Sequence, residues 1–221
     1  MESFVLALED VARGRPLPTT LLLPAHGRHA PLILFAHGFW GAPRKFRRLF
    51  ERWARAGYAV AAPSFPHTSD DNPPPYLMED VVEQPRDLSF VLDELVAREI
   101  GDPQRIGVAG FSLGGETALA LGLHPRLADD RVRAVAAVAG CLFHGELATT
   151  DLRSLPLLLV HGSADDTVAY AESVAVYEAA HEPKELVTLE GAPHDVCQDE
   201  SPHAAHVAEL LTAFFDRWLR G

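Results

Sequence analysis

Between residues 106 and 115 the chain reads Ile-Gly-Val-Ala-Gly-Phe-Ser-Leu-Gly-Gly, and the chemistry this stretch can support is nucleophilic. Its first half is apolar and reads as a buried strand. Residues 116–121, Glu-Thr-Ala-Leu-Ala-Leu, read as the opening of a helix. A serine in Gly-x-Ser-x-Gly at such a junction rides a sharp turn that lifts its hydroxyl above the sheet end. Gly110 and Gly114 permit the tight backbone, and Gly115 lets the helix approach the strand closely.

A serine hydroxyl is a weak nucleophile until a base lies within hydrogen-bond reach and an acid orients that base. The chain has eleven histidines, so position must select among them. In a parallel α/β sheet, reacting groups gather beyond the carboxyl ends of the strands. His37, His161 and His194 meet that condition. His37 and His161 each precede a glycine at a strand end, where an imidazole commonly braces the turn. His194 lies in Gly191-Ala192-Pro193-His194-Asp195, after the last strand and before the last helix, and is the candidate base. The candidate acids are Asp165 and Asp166, about four residues past another strand end. One should face the pocket and the other should cap the following helix. Spacing alone leaves both open.

Positioning three such groups takes an alternation of strands and helices. Residues 4–8 and 19–23 suit an antiparallel hairpin at an edge. Residues 31–36 form an unbroken apolar run, as in a parallel strand covered on both faces. Residues 44–56 carry Phe46, Leu49, Phe50 and Trp53 at helical spacing, closed by Gly57. Strand 58–62, helix 84–98, strands 132–139, 155–160 and 185–189, and helices 169–181 and 202–219 continue the pattern. The proline-rich stretch 63–80 exceeds ordinary connection lengths and reads as a mouth loop or a disordered insertion. No repeat or linker interrupts the chain, so residues 1–221 are read as one domain.

Composition narrows the partners. The 48% hydrophobic and 23% charged content is ordinary for a soluble globular protein. A net charge of −12 repels phosphate backbones and anionic lipid, which argues against nucleic-acid or membrane-surface binding. Two cysteines, Cys141 and Cys197, make no disulfide framework. The N-terminus lacks a basic and then apolar leader, and no run reaches the ~18 apolar residues of a bilayer span, so a cytoplasmic location is expected. Cys197 reads as a structural thiol, since no basic or helix-start context lowers its pKa. His203 and His206 beside Asp199 and Glu200 read as surface decoration and not as a metal site. Asp70 and Asp71 with His67 read as solvated loop charge.

Gly110-Phe111-Ser112-Leu113-Gly114, His37-Gly38-Phe39, the segment His161 to Val168, and Pro193-His194 occur in the order Ser, Asp, His. From about residue 19 onward this set resembles the α/β-hydrolase family, and its compact outline is similar to dienelactone-hydrolase-like and polyester-hydrolase-like serine esterases. The resemblance implies an α/β-hydrolase fold: a mostly parallel sheet of about eight strands, helices on both faces and no substantial lid. The family's acid lies in His-Gly-x-x-Asp-x-x-Val, which favours Asp165 over Asp166, and its base follows the last strand, as His194 does. An oxyanion hole is then expected from the backbone N–H groups of Phe39 and Leu113. Dienelactone hydrolases proper carry a cysteine nucleophile where this chain has Ser112, which favours general ester hydrolysis over lactone specificity. Only about residues 140–154 are available where many members insert a lid, so an open cleft is expected. Its walls are assigned to Trp40, Phe65, Phe111 and Leu142. The expected reaction is hydrolysis of a small-molecule carboxylic ester through an acyl-enzyme on Ser112, His194 and Asp165, with no cofactor and no metal. Thioesterase, acyltransferase and peptidase activities share the same triad. A non-catalytic binding module of the same fold is the alternative from another class.

Overall fold

The computed structural model describes residues 1–25, 29–141 and 151–221. In chain order these hold β1 (Glu2–Leu6), β2 (Glu9–Asp10), β3 (Arg15–Pro16), β4 (Thr19–Leu23), β5 (Leu32–Ala36), α1 (Arg47–Arg55), β6 (Ala59–Pro63) and α2 (Gln84–Ala97). There follow β7 (Ile106–Phe111), α3 (Leu113–Leu123), β8 (Val132–Val138), β9 (Leu157–Gly162), α4 (Tyr170–Ala179), β10 (Lys184–Leu189) and α5 (Ala204–Leu219).

Eight strands form one sheet in the order β1-β4-β6-β5-β7-β8-β9-β10, and β2 with β3 form a separate small ribbon. From β6 to β10 every neighbouring pair is parallel, whereas β4 runs antiparallel to β6 and β1 antiparallel to β4. The expected edge hairpin is therefore present, with the ribbon inserted between its strands. Register across the centre pairs Ala36 with Gly110 and Phe111 with Val138. The carboxyl ends of β5, β7 and β8 thus finish level, beside the serine.

All five residues of β5 are buried. Leu32, Leu34 and Ala36 enter one core with Leu88 and Leu92 of α2, Leu119 of α3 and Val176 of α4. Ile33 and Phe35 enter the other, with Phe50 and Trp53 of α1 and Phe215 of α5. Period-two alternation persists inside an entirely apolar strand because each face has its own helical layer. In the second core Phe35 sits 4.7 Å from Phe46 and 5.0 Å from Phe50, and Phe46 lies 5.8 Å from Phe111. An aromatic stack thus reaches the residue before Ser112.

The first turn of the helix expected at 44–56 is a 3-10 turn, Pro43–Phe46, in which the Lys45 N–H reaches back three residues to Ala42 O. Strand β9 extends through Gly162, so His161 belongs to the strand and is fully buried. The 63–80 stretch is folded on itself. Asn72 Nδ2 donates to Phe65 O, Leu77 N–H to His67 O and Tyr76 OH to Asn72 O. Asp70 and Asp71 are not merely solvated: Arg44 bridges both at 2.7 and 2.6 Å, and Lys45 reaches Asp70. At the end of this stretch, Arg15 forks onto Asp80 and Asp87, and Arg13 reaches Asp10, Glu83 and Asp87. Burial pushes the Asp87 carboxyl up despite both guanidinium groups. Most of the segment assigned to a lid or crossover, residues 142–150, lies outside the described residues. Among the described residues no helix is long and apolar enough to cross a membrane.

Candidate active site

Ser112 holds φ 55° and ψ −123°, a left-side conformation that costs a non-glycine residue roughly 1–3 kcal/mol. Its surroundings impose it. The Ser112 N–H donates to Val138 O at 2.9 Å, while the next residue already starts α3. A Cβ on Gly110 would lie 1.8 Å from Gly114 O, and one on Gly114 would lie 2.1 Å from Ala36 O. Only glycine fits either place, because backbone occupies the space a side chain needs.

His194 reaches this serine from the loop after β10. Its Nε2 lies 2.9 Å from Ser112 Oγ, and its Nδ1 lies 2.6 Å from Asp165 Oδ2. The ring rests 4.9 Å from Phe111. Asp165 is wholly buried at its side chain, and its Oδ1 accepts the N–H groups of Thr167 and Val168, each at 2.9 Å. Burial pushes the Asp165 carboxyl up, but the hydrogen bonds from His194, Val168 and Thr167 outweigh it and hold the group below the usual carboxylate range. Asp166 points to solvent and, among the described residues, meets only the Thr167 hydroxyl, at 3.3 Å. Neither aspartate caps α4, whose N-cap is Ala169 with no side-chain bond. The adjacent carboxylates divide as one in and one out, and the expected cap does not form.

The other strand ends supply backbone. A Cβ on Gly38 would lie 3.1 Å from Ser112 Cβ, so the His37-Gly38-Phe39 turn runs directly beside the serine. Among the described residues the Phe39 N–H has no acceptor. The Leu113 N–H is the first of α3, one of the four donors that a helix leaves without an internal partner. His37 braces this turn. Its Nε2 accepts the Phe65 N–H at 3.2 Å, so its Nδ1 carries the proton donated to Gly38 O at 2.8 Å. Burial drives the His37 pKa down to about 4 and keeps the ring neutral.

The aromatic walls require correction. Trp40 is 59% exposed, stacks on Phe39 at 5.4 Å and meets Tyr76 edge-on at 6.2 Å. It holds φ 52°, with its carbonyl accepting the Lys45 ammonium at 2.6 Å. Phe65 is not a wall: it is fully buried in the core and packs on His37 at 5.1 Å. Phe111 is also buried and supports His194 from beneath. Leu142 lies outside the described residues. Cys197 is buried, and burial pushes its thiol up. Burial, with Glu116 nearby, pushes the Cys141 thiol up to about 12. Asp199 accepts the Arg48 N–H at 2.9 Å, and no group of three or more potential metal ligands comes together among the described residues.

Two arrangements escape the sequence reading. His161 sits against Asp165, with Nε2 3.0 Å from Oδ2. Separately, Thr117 of α3, Gln84 of α2 and Thr68 of the 63–80 loop form a buried chain with bonds of 2.6 and 2.8 Å. The i, i+4 spacing of His161 and Asp165 was the available signal for the first. For the second, Gln84 offered no local cue.

A sequence model of the Alpha/beta hydrolase family matches residues 33–153, more than half of the chain. The chain belongs to that family. A stretch of 111 residues is 28% identical to the uncharacterized protein YfhR of Escherichia coli O157:H7, covering 42% of this chain and 39% of that protein. The match thus spans about two fifths of this curated relative. Among solved structures, the esterase domain of a Rhodothermus marinus protein superposes with a TM-score of 0.72 at 23% identity, over 99% of this chain and all of that one. Esterase 2 of Thermogutta terrifontis, phosphorylated by paraoxon, gives 0.77 at 21%, covering 97% and 94%. A puromycin-hydrolyzing peptidase of Mycobacterium tuberculosis gives 0.78 at 19%, covering this whole chain but 40% of that one. These likenesses establish the fold.

Proposed function

We propose that the chain is a serine carboxylic ester hydrolase acting through an acyl-enzyme, similar to compact dienelactone-hydrolase-like and polyester-hydrolase-like esterases. One observation carries the reading: the unbroken line Ser112 Oγ to His194 Nε2 and His194 Nδ1 to Asp165 Oδ2, and the amides of Phe39, which follows the Gly38 turn beside the serine, and of Leu113 are assigned to the oxyanion. His194 takes the Ser112 proton as Oγ attacks the ester carbonyl. The two amides receive the oxyanion, a contribution of roughly 3 kcal/mol each. Asp165 holds the ring in the tautomer with the proton on Nδ1 and stabilises the imidazolium. When the tetrahedral species collapses, His194 returns the proton to the leaving alkoxide. A water then repeats the steps on the acyl-enzyme and releases the acid.

Ester chemistry is favoured over thioester or amide chemistry because both compared esterases match the chain nearly end to end, whereas the peptidase is far longer. The exposed Trp40 beside Phe39 suits a small ester with an apolar or aromatic group. Net charge −12 disfavours nucleic-acid and anionic-membrane partners.

The test is hydrolysis of p-nitrophenyl acetate together with labelling by a fluorophosphonate. The parent should turn over the ester and take the label on Ser112. Ser112→Ala should lose the label and at least about 10³-fold in kcat. Parent-level hydrolysis by Ser112→Ala would sink the proposal. Matched thioester and amide substrates hydrolysed faster than the ester would replace esterase by the corresponding activity.

A further inference from the structure

The carboxylate of Asp165 faces two histidines. Oδ2 lies 2.6 Å from His194 Nδ1 and 3.0 Å from His161 Nε2, while Oδ1 accepts the amides of Thr167 and Val168. A carboxylate offers about four acceptor positions, and here each is occupied. The side chains of Asp165 and His161 are both fully buried.

The proton on His161 is assigned by its neighbours. Nε2 faces Asp165 Oδ2 and also Val168 O at 3.0 Å, both acceptors, so Nε2 carries hydrogen. Nδ1 lies 2.6 Å from Ser173 Oγ, whose hydroxyl supplies the donor. Gly140 O, 3.3 Å from Ser173 Oγ, is a second acceptor for that single proton, and the shorter contact to Nδ1 takes it. Gly140 in turn abuts the nucleophile helix: a Cβ on Gly115 would sit 2.9 Å from Gly140 Cα. The Tyr170 ring meets His161 edge-on at 5.8 Å and closes the remaining side.

The terminal torsion of an aspartate is broad, so two amides on Oδ1 alone leave the carboxylate plane free to rock. A second donor on Oδ2 fixes that plane and leaves one lone pair aimed at His194. Resting on the Ser112, His194, Asp165 reading, we propose that His161 is a positioning residue for the acid. It locks the carboxylate and is itself held by the short hydrogen bond from Ser173 of α4.

Two measurements test this. In parent protein labelled with ¹⁵N-histidine, and assigned by the signal lost in His161→Gln, His161 should carry a proton on Nε2. A proton on Nδ1 with Nε2 bare overturns the proposal whatever the activity. In kinetics, His161→Phe should slow fluorophosphonate labelling and p-nitrophenyl acetate turnover by roughly tenfold to a hundredfold, with KM within about twofold. His161→Gln, whose amide N–H₂ reaches both Asp165 Oδ2 and Val168 O, should recover most of that loss. A folded His161→Phe with the parent's labelling rate overturns the proposal. So does a Gln variant as slow as the Phe variant. If His161→Phe does not fold, the tautomer and the Gln variant decide. A parent that fluorophosphonate never labels defeats the triad reading instead, and the tautomer measurement still reports on His161.

Discussion

His37 and His161 stand in the same local setting and behave differently. Each is a fully buried histidine at the carboxyl end of a parallel strand, directly before a glycine. Both nitrogens of His37 meet backbone, the Phe65 amide and the Gly38 carbonyl. Those of His161 meet Ser173, Asp165 and one carbonyl. The sheet delivers both rings to one rim, and the loop that follows each decides its work. After β5 the ring is part of a frame for the amide of Phe39. After β9 it is part of a chain of side chains ending at the serine.

Several changes separate the two sides, beginning with the largest. Asp165→Asn removes the charge that both His161 and His194 face, and kcat should fall roughly 10³- to 10⁴-fold. Asp166→Asn, one residue on and exposed, should stay within about twofold of the parent. Equal losses in steady-state rates on p-nitrophenyl acetate would mean that the two carboxylates share the role.

A pH difference comes next. The His37 pKa is about 4 folded against an ordinary 6.5. Above 6.5 neither state binds the proton. As pH falls from 6.5 towards 4 the unfolded chain takes it up and the folded chain does not, so stability drops by about 3 kcal/mol over that window. Asp165 acts lower on the scale. Its folded value is depressed, so its contribution is present above the ordinary carboxylate value and is lost as pH falls through the folded one. Urea unfolding at pH 7 and pH 4.5 should show His37→Leu with a flatter dependence than the parent.

Smaller effects belong to the frame. At neutral pH His37→Leu leaves the buried Phe65 N–H without its acceptor and should cost about 2 kcal/mol, or roughly 5 °C in Tm. Thr117→Val takes the donor from Gln84 Oε1 and should cost about 1 kcal/mol by the same melting measurement. A loss in kcat larger than the loss in stability for either variant would move that residue to the chemical side of the comparison.

The legibility of the chain follows the same division. The central strands were readable because Leu32–Ala36 and Ile106–Phe111 are apolar on both faces, a pattern that needs no knowledge of partners. Ser112 and His194 were readable because strand ends in such a sheet converge on one rim. Asp165 and Asp166 were not separable by spacing, since adjacent residues point apart and only the turn after Gly162 says which points inward. Phe65 and Phe111 were misread as pocket walls because an aromatic beside a site looks the same in sequence whether it lines the opening or supports it. Arg15 could not be paired with Asp80 and Asp87, which lie 65 and 72 residues away and meet it only in the folded chain.

That last cluster bears on how the molecule responds to heat. Arg13 and Arg15 gather Asp10, Asp80, Glu83 and Asp87 at the end of the irregular 63–80 segment. The hydration of charged groups becomes less favourable as temperature rises, so the desolvation cost of such a network falls on warming while hydrophobic stabilisation levels off. The irregular 63–80 segment is therefore fastened at its end by an interaction whose cost falls on warming, and it should stay in place until the sheet itself gives way.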